Sequence, residues 1–275
     1  MRIDAHMHLW RLERGDYGWI TDEVAPLQRD FGPQDARPLL DACAVDGVVL
    51  VQAAPSIAET RFLLEHAARE PWIKGVVGWI DMAAADAPEV LAELAADPHL
   101  VGIRPMLQDI PDVRWMLRPE LTPAFRALVE LDLAFDALVK PLHLASLLDL
   151  LARHPDLRVI IDHGAKPDIA GGVIEPWASD MTALARDTRA LCKLSGLITE
   201  AGPGWTTADL APYVEHLLTT FGPERLLWGS DWPVVTLAGD YVGWYRAAEH
   251  LLVGLEPAAR ELIFAANAQR VYKLA

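Results

Sequence analysis

Short apolar runs rich in Val, Ile and Leu recur along the chain, each followed by a polar turn and then by a stretch with helical spacing. The runs occupy 3–10, 47–54, 73–81, 100–107, 133–140, 158–165, 190–198 and 225–233, and they predict eight strands. Between them, 86–95 opens with an acidic cap and a proline in the first turn and continues with apolar residues at helical spacing; 122–129 repeats the device. Segments 143–154, 207–221 and 257–272 read as helices in the same way. Near-continuous apolar strands alternating with amphipathic helices mean a parallel sheet covered by helices. Eight such units in 275 residues predict an α/β fold, a single (β/α)8 TIM barrel spanning 1–275. A doubly wound open sheet is the competitor, but no Gly-x-Gly-x-x-Gly turn follows any run to support its dinucleotide-binding form. The segment 11–34 has little periodicity and carries aromatics and charges, and a loop of that length is expected to cap a site.

Composition narrows the partners. With 52% hydrophobic residues the chain can bury a large core, and its formal charge of −15 leaves no basic stripe for a nucleic acid. No run of about 18 uncharged apolar residues offers a membrane span, and the chain opens on a strand without a charged leader, so a cytoplasmic protein with no membrane partner is expected. Cys43 and Cys192 fall in a helical and a strand pattern and read as packed thiols, with no disulfide scaffold.

In a barrel of this kind the chemistry sits at the carboxyl ends of the strands and in the loops after them. The polar residues cluster there: Gln52, Trp79, Asp81, Arg104, Lys140, Asp162 to Lys166, Ser195, and Ser230-Asp231-Trp232. His6 and His8 are two apart on the first strand, so their imidazoles point to one side, with Asp4 below them on that face. Asp231 follows Leu226-Leu227-Trp228 and must meet a cation, a proton donor or a substrate, because a buried strand avoids unpaired charge. Taken singly, Asp231 has a lesser reading as a loop cap and His163 as a satisfied core histidine. Together, His6, His8, His163 and Asp231 converge on one barrel mouth, a set that suits a borderline cation such as Zn2+ or a metal-free acid–base site.

The arrangement His6-x-His8 on the first strand, His163 on the sixth and Gly-Ser-Asp231-Trp-Pro on the eighth resembles the amidohydrolase superfamily over essentially the whole chain. Tyr17-Gly18-Trp19, Leu27 to Phe31, Gly102-Ile103-Arg104-Pro105, Phe135-Asp136-Ala137-Leu138, Asp162 to Pro167 and Asn267-x-x-Arg270-x-Tyr272 resemble its sugar-lactonase branch. The resemblance implies hydrolysis of a small-molecule lactone by an activated water. Asp231 would be the base, His6 and His8 would lie by the water or carbonyl oxygen, and His163 would bond the developing oxyanion. Binuclear members place a bridging ligand on strand four and a histidine on strand five. This chain has Arg104-Pro105 and Lys140-Pro141 there, with His143 opening the next helix. At most one divalent metal, Zn2+, is therefore expected, through His6, His8 and Asp231 with His163 near or joining them, and a metal-independent site stays open. Arg104, Lys140 and Lys166 offer donors to a carboxylate or to sugar hydroxyls, and Trp19, Trp79 and Trp232 offer apolar faces to a ring. A decarboxylase, an amide or ester hydrolase on the same scaffold, a non-catalytic sugar-acid-binding barrel and a homodimeric assembly also remain open.

Overall fold

The computed structural model describes residues 1–274. Eight parallel strands form one sheet in sequential order: β1 Ile3–Met7, β2 Gly47–Val51, β3 Ile73–Gly78, β4 Leu100–Ile103, β5 Ala134–Ala137, β6 Val159–Ile161, β7 Leu191–Leu194 and β8 Leu226–Trp228. The crossovers carry α1 Pro33–Ala42, α2 Ile57–Arg69, α3 Ala87–Leu94, α4 Thr122–Glu130, α5 Leu144–Arg153, α6 Trp177–Asp187, α7 Leu197–Ala201 and α8 Thr207–Phe221; α9 Tyr241–Leu251, α10 Pro257–Glu261 and α11 Asn267–Tyr272 follow β8. Each strand is shorter than its apolar run, because the runs continue as buried loop residues at the barrel mouth: Leu9 and Trp10 follow β1 and are enclosed.

The seam between β1 and β8 is closed just past the strand ends, where the His8 amide donates to the Trp232 carbonyl at 2.7 Å and the Asp231 amide to the His6 carbonyl at 2.8 Å. The backbone that closes the barrel is thus the backbone that bears the candidate site.

Two cores flank the sheet. The larger lies between strands and helices; the smaller fills the barrel, where Ile3, Ala5, Val49, Ile160, Leu191 and Leu227 pack together. Residues Ala268, Val271 and Tyr272 of α11 join this inner core, so the last helix plugs the barrel. No helix among the described residues is long and apolar enough to cross a membrane. Cys43 and Cys192 are free and buried, as their patterns suggested.

The segment 11–34 folds back on itself: Trp10 and Phe31 exchange both backbone hydrogen bonds at 3.0 Å, and short 3-10 turns at Leu12–Arg14 and Asp22–Leu27 fill the span. Asp16 ties it to α2, accepting from Arg14 at 2.8 Å and from Ser56 Oγ at 2.6 Å.

Candidate active site

A β-bulge makes the first half of the site. Asp4 pairs with Val48 but Met7 pairs with Leu50, so one extra residue of β1 is inserted between them. Ile3 and Ala5 point into the barrel, Met7 packs against the helices, and His6 and His8 reach inward from the strand end. The expectation that Asp4 shares their face is corrected by this bulge. Asp4 instead accepts from the His6 amide at 3.1 Å and the Ser230 amide at 2.8 Å, a staple between β1 and the end of β8.

His163 and Asp231 follow β6 and β8 in left-handed backbone, at φ 54° and 58°. Such a conformation costs a non-glycine residue about 1–2 kcal/mol and persists only where the surroundings enforce it. Trp177 Nε1 donates to the Gly164 carbonyl at 2.6 Å within the left-handed turn, and the seam bond from the Asp231 amide holds the other. Gly196, itself at φ 64°, lies flat against the His163 ring, where a Cβ would come within 2.7 Å of Nδ1.

These devices bring the four residues together. Asp231 Oδ1 lies 3.2 Å from His8 Nε2, 3.6 Å from His6 Nε2 and 3.9 Å from His163 Nε2, and the His6 and His8 Nε2 atoms are 3.2 Å apart. His8 Nδ1 donates to the Val51 carbonyl at 2.7 Å, which fixes the ring with Nε2 toward the site, 3.2 Å from Asp231 Oδ1. His163 Nδ1 meets Ser195 Oγ at 2.8 Å. Burial alone would raise the Asp231 carboxyl, but His163, the His8 hydrogen bond and His6 outweigh it and hold the group well below the usual carboxylate range. Burial lowers His163 to about 4 against the pull of Asp231 and Asp162, and burial, helped by Lys193, also holds His6 well below the usual imidazole range. At neutral pH the site therefore holds an ionised carboxylate among imidazoles, two of which are kept neutral.

Beneath the site lies a charge network that the sequence reading passed over. Lys193 and Asp136 are fully enclosed in the barrel and joined at 2.5 Å, Lys193 also lies 2.9 Å from Asp162 Oδ1, and Tyr272 OH donates to Asp136 at 2.7 Å. Lys193 interrupts the apolar run of β7, and a charge in a buried strand was the signal available. Burial raises Asp136 to about 6 despite Lys193, whereas Lys193, His6 and Arg104 overcome burial at Asp162 and hold it far below the usual range. Arg104 Nη1 contacts Asp162 Oδ2 and His6 Nε2, each at 3.2 Å, and Nη2 donates to the Gln52 carbonyl.

A cavity of about 260 Å³ opens above this floor. His8, His163, Arg104 and Asp231 form one side; Trp19, Met106, Leu138, Val234 and Leu237 form an apolar wall, and Lys166 stands at the edge. Trp19 is pinned there by a 2.7 Å bond from Nε1 to the Ala53 carbonyl. Lys140 lines an adjoining cavity that shares Gln108 and Lys166 with the first, and its ammonium donates to the Gln108 carbonyl at 3.2 Å. Trp79 and Trp232 do not line the main cavity, which corrects their reading as faces for a ring. The Trp232 ring is 3% exposed and packs edge-on against Phe31, while the Trp79 backbone exchanges hydrogen bonds with Thr60 Oγ1 of α2. His143 opens the helix after β5, accepting the Lys140 amide on Nδ1 at 3.0 Å.

The donor set fits one borderline cation. Ligand atoms of His6, His163 and Asp231 lie within 4.8 Å of one another, and His8 Nε2 lies 3.2 Å from both Asp231 Oδ1 and His6 Nε2. The separations of 3.2 to 3.9 Å between Asp231 Oδ1 and the imidazole nitrogens come close to the edge of about 3.3 Å that tetrahedral zinc with bonds of about 2.0–2.1 Å requires.

Known proteins share this organisation. The sequence profile of the Amidohydrolase family matches residues 3–274. The L-fucono-1,5-lactonase of Burkholderia ambifaria is 47% identical over 277 residues, covering 99% of this chain and 96% of that one. The enzyme of the same name from Burkholderia multivorans is 35% identical over 288 residues, covering 100% of this chain and 96% of that one. The crystal structure of an amidohydrolase from Burkholderia multivorans with bound Zn superposes with a TM-score of 0.93 at 35% identity, covering 100% of both chains. With eight parallel strands, histidines and an aspartate gathered at their carboxyl ends, and a profile match along nearly its whole length, the chain belongs to the Amidohydrolase family.

Proposed function

We propose that the protein opens the ring ester of a sugar-acid lactone by attack of an activated water. The observation that carries this reading is Asp231: an ionised carboxylate at the cavity floor, facing imidazole nitrogens at 3.2 to 3.9 Å. A lactone carbonyl needs polarisation and its water needs a base, both converging on one reacting atom. Asp231 takes a proton from water as the oxygen bonds to the carbonyl carbon. His163 and Arg104, both on the cavity wall, stabilise the developing oxyanion. As the intermediate collapses, the ring C–O bond breaks and Asp231 returns the proton to the leaving alkoxide, giving the open hydroxy acid.

His6, His8, His163 and Asp231 would hold a single Zn2+, whose contribution when bound is to polarise the carbonyl oxygen and ease deprotonation of water. Arg104 after β4 and Lys140 after β5 stand where a second ion would need ligands, so the site takes one ion at most.

The cavity supports the substrate class. Its apolar wall, with Trp19, suits the C–H face of a sugar ring, and Arg104 and Lys166 suit hydroxyl or carboxylate oxygens. L-Fucono-1,5-lactone, the substrate in the names of the two Burkholderia relatives, is the first lactone to test. A pH-indicator assay over aldonolactones and muconate-type lactones, repeated after chelation, tests the reading. Wild type is expected to open at least one aldonolactone, and Asp231→Asn to lose about 10²–10⁴-fold in turnover with its fold retained. Near-native turnover in that variant would remove Asp231 from the role of base.

A further inference from the structure

Glu59 is a fully enclosed acid in the first turn of α2, and the hydrolysis proposed above gives it no part. Ser56-Ile57-Ala58-Glu59 has the pattern of a capping box, in which the acid reaches back to the amide of the Ser. Only half of that box forms. Ser56 Oγ accepts from the Glu59 amide at 3.1 Å, but the Ser56 amide is spent on the Ala54 carbonyl at 2.9 Å. The Glu59 carboxyl reaches past it into the loop after β2, where Oε2 accepts from the Ala53 amide at 3.0 Å and from the Ala54 amide at 2.5 Å.

A trans peptide unit is rigid and planar, with its N–H pointing opposite to the C=O of the residue before. The Ala53 N–H shares a unit with the Gln52 carbonyl, and the Ala54 N–H shares one with the Ala53 carbonyl. Both carbonyls hold a side chain of the site: Gln52 O accepts from Arg104 Nη2, and Ala53 O accepts from Trp19 Nε1 at 2.7 Å. Glu59 thus grips two consecutive peptide units by their amides, and their far ends hold the guanidinium and the indole that line the cavity. Two neighbouring amides that converge in this way call for a shared acceptor. The unit before them is held by the sheet instead: its Val51 carbonyl takes His8, and its Gln52 amide donates to Val77 of β3 at 2.8 Å.

We propose that Glu59 is a positioning residue for lactone hydrolysis. By fixing the peptide units 52–53 and 53–54, it sets the Trp19 indole for the face of the ring and the Arg104 guanidinium for the developing oxyanion. Arg104 has a second anchor in Asp162 Oδ2 at 3.2 Å, whereas the indole has one N–H and spends it on Ala53. Loss of the grip therefore falls on substrate binding more than on turnover. The parts of Trp19 and Arg104 in the reaction rest on the lactonase reading; the grip on the loop does not.

Hydrogen exchange followed by 1H–15N spectra of the full-length protein tests the grip. In wild type the Ala53 and Ala54 amides, both beyond the end of β2, are expected to exchange about 100-fold or more slowly than an open loop. Free exchange at both would overturn the proposal, and this measurement needs no variant to fold. Glu59→Leu keeps the bulk and removes the acceptor; Glu59→Asp, one methylene short of the loop, is the second variant with the same expectation. In either, the Trp19 indole N–H, assigned through Trp19→Phe, should exchange about 10-fold faster than in wild type. With the lactone that wild type opens, KM should rise about 10-fold and kcat stay within about threefold. Glu59→Gln keeps an oxygen for both amides and should return KM to within about twofold of wild type. A purely structural cap would lower the melting temperature of Glu59→Leu and leave its KM and indole exchange at wild-type values, and that result would refute the role. A wild-type protein that opens no lactone would defeat the lactonase reading and leave the exchange results to decide the grip.

Discussion

At the scale of single residues, the site depends on side chains that are absent as much as on those present. Gly196 and Gly229 leave room for the imidazoles: a Cβ on Gly229 would come within 2.7 Å of His6 Cβ, and one on Gly196 within 2.7 Å of His163 Nδ1. Gly196→Ala would add left-handed strain of about 1–2 kcal/mol and push the ring that contacts Ser195. The expected result is a lower melting temperature and a turnover reduced by about 10–100-fold, since small displacements at a reacting centre are costly. Calorimetry and steady-state kinetics on the same sample separate the two effects; unchanged kinetics would mean that His163 tolerates the shift. His6, His8, His163, Asp231 and Arg104 were legible in the sequence because each is polar at the end of an apolar run. Lys193 and Asp136 were not, because each lies inside a run whose burial only the closed barrel reveals.

At the scale of elements, the segment 11–34 and the start of α2 behave as one unit joined by buried polar groups. Glu59 is fully enclosed at the first turn of α2 and accepts from the Ala53 and Ala54 amides, in the stretch whose Ala53 carbonyl pins Trp19. Burial raises its carboxyl to about 7, against the lowering effect of those amides. Its folded value lies above its unfolded value near 4.5, so the folded state holds the proton longer. Wild type therefore loses stability through this group as pH rises from about 4.5 to 7, and the loss is complete above that window. Glu59→Gln cannot titrate. Its stability relative to wild type should improve by up to about 3 kcal/mol between pH 5 and pH 8. Urea unfolding at the two pH values reads this difference, and a constant offset would show that Glu59 is not held protonated. The bulge in β1 belongs to this scale too. Strict alternation put Asp4 beside the histidines, and one inserted residue turned it to the helical side.

At the scale of the whole molecule, the barrel is closed at one end by α11 and at its seam by the backbone of the site. Val271 and Tyr272 are buried in the inner core, and Asn267 Nδ2 donates to the Pro223 and Leu226 carbonyls at 2.7 and 2.8 Å beside β8. Ending the chain after Ala266 should therefore remove more than a terminal helix. It uncovers the inner core and leaves Asp136 without Tyr272, and loss of the cooperative thermal transition is expected by circular dichroism. A truncated protein with a native melt would show that the barrel does not need its plug. The sequence alone determined the eight strands, the alternating helices and the end of the barrel where chemistry gathers, because burial on both faces of a parallel sheet writes itself as apolar runs with polar ends. Tertiary structure alone decided which polar groups meet. The face taken by Asp4, the pairing of Lys193 with Asp136, and the presence of Trp19 and absence of Trp232 at the cavity depend on strand register and on contacts between residues far apart in the chain. Periodicity carries no record of such contacts, since a side chain's direction across a barrel is set by its neighbours in space.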